Sequence, residues 1–454
     1  MCSMMKSPLL RGVSYSLILK LPRRYILTKA EFLHQEHDGK VLKIPEPHLD
    51  ISNFCDPSKT EYFSSNIKSR KGVGNIHRII ELNNELKVKT NEILRRELIE
   101  EALKIPNDTH PVPYSYGTNA KVIRIIGSLP KFNYDPKPFD KLVEGTNQYR
   151  MKELTPLAGH KSYYLCRELA DLEHALIRYV VQRLVNNGFS LISVPDILHH
   201  QIIECCGIPT SGERSIVYRL DGDKHLASAA EGELCLSGTA EMALAGFLMN
   251  RTFTERDLPK RYVAVSRCYR AETAPIASEK GLYRVHQFTK VEMFGASTNY
   301  QSEDLLEEFR SIQEEIFGSF NLHLQVLDMP PHELGAPAYR KYDIEAWLPT
   351  RQDFGEVSSC SNCTDYQSRR LNIQYTSQDP LLKDFAHTVN GTACAIPRLI
   401  MAICETHQQE DGSIRVPPVL RPFLSQREVI KPGRNVTRFT KRAKALTDHI
   451  SVDH

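Results

Sequence analysis

The sequence predicts an α+β fold in which an antiparallel sheet is flanked by helices and preceded by a short N-terminal helical arm. Three observations carry that expectation. Segments 261–270 and 282–294 are rich in Val, Tyr and Phe and are joined by a polar loop, 271–281, so they read as an antiparallel strand pair. In 162–187, Leu165, Leu169, Leu172, Leu176, Ile177, Val180, Val181 and Leu184 mark one face of an amphipathic helix. The same helical periodicity runs from 74 to 105 through Ile76, Ile79, Ile80, Leu86, Ile93, Leu98, Ala102 and Leu103.

Taken in chain order, residues 1–30 contain Lys6, Arg11, Lys20, Arg23, Arg24 and Lys29 and no acid before Glu31. This is the composition of a mitochondrial transit peptide, with a solvated basic tail as the plainer alternative. Pro106 stops the 74–105 helix. At ~1.5 Å per residue that segment measures about 45 Å if straight, and roughly half that if it folds as a hairpin near residues 87–91. Proline-rich loops at 110–114 and 130–138 place a boundary near residue 135. The helix 162–187 leads into an extended apolar stretch, 189–194, and Pro195, which suit either a dimer interface or an ordinary buried helix and strand. Further on, 302–317 reads as a helix, 342–348 as a strand holding the single tryptophan, Trp347, and 397–407 as a helix begun by Pro397. The stretch 431–444 carries Lys431, Arg434, Arg438, Lys441, Arg442 and Lys444 without an acid, which suits a phosphate-attracting or simply solvated tail. The expected domains are therefore a leader (1–30), an N-terminal domain with the short arm (45–134), a catalytic domain (135–424) and a basic tail (425–454).

A chain of 454 residues exceeds one small core, and 41% hydrophobic with 25% charged residues excludes a wholly disordered chain. The net charge of +3 says little about nucleic acid, and no stretch approaches the ~20 apolar residues that span a bilayer. Eleven irregularly spaced cysteines without a secretory signal suggest reduced thiols. Cys360 and Cys363 form a CxxC, but no second CxxC or HxxxH completes a tetrahedral site, so zinc is not expected.

Several clusters carry chemistry. Arg270 and Glu272 lie near the end of the first strand, and Arg284, Phe288 and Glu292 follow at even spacing, which puts them on one face of the second. Charge beside an aromatic is odd for a core, because buried charges need partners. A salt-bridged outer sheet face is the bland alternative. Arg398 sits at the positive start of a helix, just after Asn390, Gly391 and Thr392. Glu356, Val357, Ser358 and Ser359 offer hard oxygen ligands of the kind magnesium takes. Thr239, Ala240 and Glu241 offer a hydroxyl and a carboxylate suited to a small polar amino acid. Cations, a flat surface and carboxylates are together what activation of an amino acid on ATP requires.

In this order and spacing the chain resembles seryl-tRNA synthetases, especially the mitochondrial type. The resemblance rests on SGTAE (237–241), CYRAET (268–273), GLYRVHQFTKVEMFG (281–295), YRKYDIEAW (339–347), GEVSSCSNCTDYQSRRLNI (355–373), HTVNGTACAIPRL (387–399) and QQEDGSIRVPPVLRP (408–422). It implies a class II synthetase sheet. It also implies that Arg270 holds the α-phosphate, Glu272 contacts adenine, Phe288 stacks beneath the ring and Arg398 covers its other face. ATP contacts would continue along Glu356, Val357, Ser358 and Ser359, with Mg2+ on Glu356 and Ser359, and serine would bind Thr239, Glu241, Glu292 and Thr392. Catalysis would fall to Arg270, Glu356 and Arg398. The implied activity is a serine–tRNA ligase of the mitochondrial matrix, acting on ATP, serine and tRNA(Ser) as a homodimer or with a related synthetase, and without a membrane partner. Two departures stand out. Ile276 and Lys280 replace a glycine and an arginine usual in the family's loop, and the long tRNA-gripping arm is reduced to a stub. The alternative is therefore a catalytically inactive paralogue that binds tRNA or partners a full-length synthetase.

Overall fold

The structure is a computed structural model. It describes residues 44–432 apart from 90, 145–147, 152–153, 213–214, 221–232, 273–280 and 378–380. The basic leader, the loop bearing Ile276 and Lys280, and nearly all of the basic tail lie outside the described residues.

The N-terminal helical unit comprises α1 (Thr60–Ser69), α2 (Ile76–Val88) and α3 (Glu92–Leu103). The unbroken periodicity of 74–105 belongs to a hairpin, because α2 ends in extended backbone at Lys89 and α3 restarts at Asn91. Both helices open on an asparagine cap: Asn75 accepts the backbone N–H groups of His77 and Arg78, and Asn91 accepts that of Ile93. At 13 residues α2 is roughly 20 Å long. Phe63, Ile67, Ile76, Ile79, Leu82, Leu98, Ala102 and Ile105 form the core of this unit. Ile79 and Leu82 are completely buried, each contributing about 1.5–3 kcal/mol through removal of apolar surface from water.

The remainder is built on one eight-stranded sheet. Its strands are β1 (Lys121–Ile126), β2 (Ser190–Ile192), β3 (Lys260–Tyr269), β4 (Gln287–Ser297), β5 (Leu324–Asp328), β6 (Arg340–Leu348), β7 (Asp353–Thr364) and β8 (His387–Ala395). Their spatial order is β1-β5-β6-β7-β8-β4-β3-β2, and every neighbouring pair is antiparallel except β2 with β3. The flanking helices are α4 (Glu168–Asn186), α5 (Ala240–Phe247), α6 (Ser302–Gly318), α7 (Tyr366–Leu371) and α8 (Ile396–Thr406). On β4 the odd residues Val291 and Met293 enter the main core with α4, α6 and α8, while the even residues Phe294 and Ala296 enter a second core around α5.

The expected strand pair forms as β3 and β4, but β4 starts at Gln287 because Gly281–Tyr283 is a 3-10 turn. Arg284 is therefore not on the strand. The helix read from 162 starts at Glu168, since Tyr164–Leu165 pairs with Tyr149–Arg150 as a short strand. The CxxC thiols part company on β7, where Cys360 packs in the main core and Cys363 opens on the cavity described next.

Candidate active site

Strand register decides which side chains share the catalytic face. On β4, Phe288, Lys290 and Glu292 alternate with core residues, and Thr392 of β8 lies opposite Glu292. On β6, Lys341, Asp343 and Glu345 lie opposite Ser361, Ser359 and Glu356 of β7. Strict alternation would send Glu356 and Ser359 to opposite faces, being three residues apart. A bulge at Val357, where β7 spends one extra residue against β6, brings both to the same face. The result is a cavity of about 360 Å³ whose walls include Thr239, Glu241, Arg270, Glu272, Phe288, Glu292, Glu356, Val357, Ser358, Ser359, Thr392 and Arg398. Every residue expected to bind ATP or serine thus lines one cavity.

One end is acidic. Thr239 caps α5, its hydroxyl accepting the backbone N–H of Glu241 at 3.3 Å, which sets Glu241 in the first turn, where the helix dipole favours an anion. Glu292 is nearly fully buried. Lys290 Nζ lies 2.6 Å from its Oε2, and the Thr392 hydroxyl donates to the same oxygen at 3.1 Å. Burial, followed by the neighbouring charge of Glu292, pushes the Glu241 carboxyl up to about 7, against the pull of Lys290, Gln367 and Asn390. Gln367 and Asn390 donate to Glu241 Oε1 at 2.7 and 2.8 Å. Two carboxylates and two hydroxyls at the end of a cavity suit a small cation that also carries a hydroxyl.

The other end is cationic and aromatic. The Arg270 guanidinium stands 5.3 Å over the Phe288 ring and donates to the Gly238 carbonyl at 3.4 Å. Arg398, in the first turn of α8, donates through Nη1 to Glu356 Oε2 at 3.0 Å and lies 4.5 Å over the Tyr283 ring. Glu272 pairs with Arg284 at 2.5 Å. Burial raises the Glu356 carboxyl, but Arg398, Lys341 and Arg270 outweigh that effect and hold it below the usual carboxylate range. Its side chain is still 39% exposed because it faces the open cavity. An ionised, accessible carboxylate beside the Ser359 hydroxyl is a hard-oxygen donor pair. That fits a magnesium ion that keeps most of its ligands as water and phosphate.

Sequence reasoning passed over Lys290, Gln367, Tyr283 and Lys341, which also line or support this cavity. Lys290 shares the parity of Phe288 and Glu292, so alternation could have found it; a four-residue step from Arg284 to Phe288 to Glu292 skipped it. Asn390 shares the parity of Thr392. Gln367 sits on α7 with no local signal at all.

Residues 218–407 match the tRNA synthetase class II core domain (G, H, P, S and T). The mitochondrial serine–tRNA ligase of Bos taurus is 46% identical over 342 residues, covering 75% of this chain and 65% of that protein. The chain thus spans somewhat under two thirds of the length of that relative. The serine–tRNA ligase of Rubrobacter xylanophilus is 40% identical over 366 residues, 79% of this chain and 84% of the relative. The crystal structure of Pyrococcus horikoshii seryl-tRNA synthetase complexed with ATP superposes with a TM-score of 0.69 at 29% identity, covering 84% of this chain and 90% of that one. With the sheet, the cavity and this similarity across most of a bacterial relative, the chain belongs to the seryl-tRNA synthetase family, built on the class II tRNA synthetase core.

Proposed function

We propose that this chain is a serine–tRNA ligase, which activates serine on ATP as seryl-adenylate and transfers it to mitochondrial tRNA(Ser). The observation that carries the proposal is the convergence, in one cavity, of an acidic end bearing Thr239, Glu241, Glu292 and Thr392 with a cationic end bearing Arg270, Phe288, Glu356 and Arg398. The mitochondrial names of the bovine and murine relatives support a mitochondrial location, and we place the protein in the matrix. We further propose that it works as a dimer, either of two copies or with a related synthetase. The cavity gives no support to the inactive alternative, since each polar position of the pocket is occupied by a competent side chain.

In this mechanism Glu241 and Glu292 hold the serine ammonium while Thr239 and Thr392 engage its hydroxyl. The carboxylate is thereby aimed at ATP. One carboxylate oxygen forms a bond to the α-phosphorus, the bond from that phosphorus to the bridging oxygen breaks, and pyrophosphate departs with the electron pair. Arg270 offsets the charge gathering on the phosphoryl oxygens, and Phe288 and Arg398 hold the adenine between them. Glu356 and Ser359 would hold Mg2+, which when bound neutralises phosphate charge. A ribose hydroxyl of the tRNA terminus then attacks the acyl carbon, and AMP leaves. Alanine is rejected because it leaves the hydroxyl groups that engage the serine side chain, on Thr239 and Thr392, unpaired.

Serine-dependent ATP–pyrophosphate exchange tests the proposal. The expected result is exchange by the wild type and its loss in Thr239→Ala and Arg270→Ala. Exchange absent from the wild type, and equal to that of both variants, overturns it.

A further inference from the structure

Glu241 is held by two side-chain amides, and their arrangement goes beyond simple solvation of a charge. Gln367, completely buried on α7, donates to Glu241 Oε1 at 2.7 Å across 126 residues of sequence. Its own carbonyl oxygen accepts from the Thr388 hydroxyl at 2.7 Å, and Thr388 is also completely buried. Asn390 donates to the same Oε1 at 2.8 Å. Among the described residues, both side-chain donors to this carboxylate therefore converge on one oxygen, which leaves Oε2 for a substrate.

The amide orientation follows from valence. A carboxylate only accepts, so the Gln367 NH2 must face Glu241 and its oxygen must face Thr388, whose hydroxyl must then donate. The flipped amide would set two acceptors against each other. We infer that Gln367, locked by Thr388, is a positioning residue for serine activation: it fixes the Glu241 carboxylate so that Oε2 receives the substrate ammonium.

The relay also works on charge. The groups facing Glu241 are Glu292 and Lys290 on β4, the Cys363 thiol on β7, and the Cys206 thiol just beyond the short helix His200–Cys205. Burial and Glu292 push the carboxyl toward its neutral form, and the Gln367 donor opposes them. Removing that donor favours a protonated Glu241, which cannot pair with an ammonium.

This inference rests on the proposed serine activation, so full-length wild type is assayed first by serine-dependent ATP–pyrophosphate exchange from pH 6 to 8.5, alongside Gln367→Met, Thr388→Val and Thr388→Ser. For Gln367→Met, the serine KM at pH 7 is expected to rise about tenfold, the loss of one charge-assisted hydrogen bond. Its kcat and ATP KM stay within about twofold, and the rise of serine KM on acidification moves to higher pH. Thr388→Val shifts the same parameters in the same direction, and Thr388→Ser restores them. A wild type without exchange defeats the activity and this inference together. An active wild type with a Gln367→Met variant whose serine KM and pH profile are unchanged, or whose kcat and both KM values move together without a pH shift, overturns the positioning role alone. Should Gln367→Met fail to fold by thermal melting, Thr388→Val against Thr388→Ser decides by the same criteria.

Discussion

Replacing Lys290 by Met should unbalance the acidic end of the cavity more than any other single change there. Lys290 Nζ lies 2.6 Å from Glu292 Oε2, and the two side chains are only 7% and 3% exposed. Methionine fills the same space without charge, so Glu292 stays behind as an uncompensated anion close to Glu241. Breaking a buried ion pair from one side costs about 3–5 kcal/mol, against the 0–1 kcal/mol typical of an exposed pair. That cost comes from stranded charge rather than lost packing, so neutralising the partner should relieve it. Lys290→Met with Glu292→Gln is expected to recover all but about 1–2 kcal/mol of the loss, while abolishing serine-dependent exchange. Urea unfolding of the wild type, both single variants and the double variant closes the cycle. A loss below about 1 kcal/mol for Lys290→Met, or additive losses in the double variant, would refute the charge argument.

Other outcomes follow from the same geometry. Because the Glu241 carboxyl is pushed up to about 7, it is increasingly protonated as pH falls through that value and loses its hold on an ammonium. The kcat/KM for serine should therefore fall about tenfold per unit below neutrality. A profile flat from pH 5.5 to 8, or one unchanged in Glu241→Gln, contradicts this. Arg398→Lys keeps the charge but loses the paired contacts to Glu356 and the stack on Tyr283, and should lower kcat/KM for ATP about 100-fold in exchange assays. An effect under threefold speaks against it. Arg70 is buried and donates to the carbonyls of Asn107, Asp108, Gly335 and Ala336, joining the helical unit to a loop at the cavity wall. Arg70→Met should cost about 2–4 kcal/mol, by stranding these acceptors, and speed amide exchange in α1. Unchanged exchange there removes the clip from the account.

Much of the architecture was legible locally. Helical periodicity marked α2 to α4, the hydrophobic strands announced β3 and β4, and Pro397 fixed the start of α8 within a residue. Motif order pointed to every cavity residue that was named. The hairpin weighed near residues 87–91 is the form the 74–105 segment takes, with α2 ending at Val88 and α3 capped by Asn91. What escaped were features without a local signature: the later starts of α4 and β4, where short-strand and 3-10 hydrogen bonds displaced the expected elements.

By itself the sequence determined the chemical inventory, since side-chain identity and short-range periodicity are properties of neighbouring residues. Only the tertiary structure decided how that inventory meets. The bulge at Val357 turns Glu356 and Ser359 to one face, and β-sheet register sets Thr392 opposite Glu292. Packing of α7 carries Gln367 to Glu241 across 126 residues. These outcomes depend on strand pairing and burial, which couple positions too distant in the chain for any local pattern to record them.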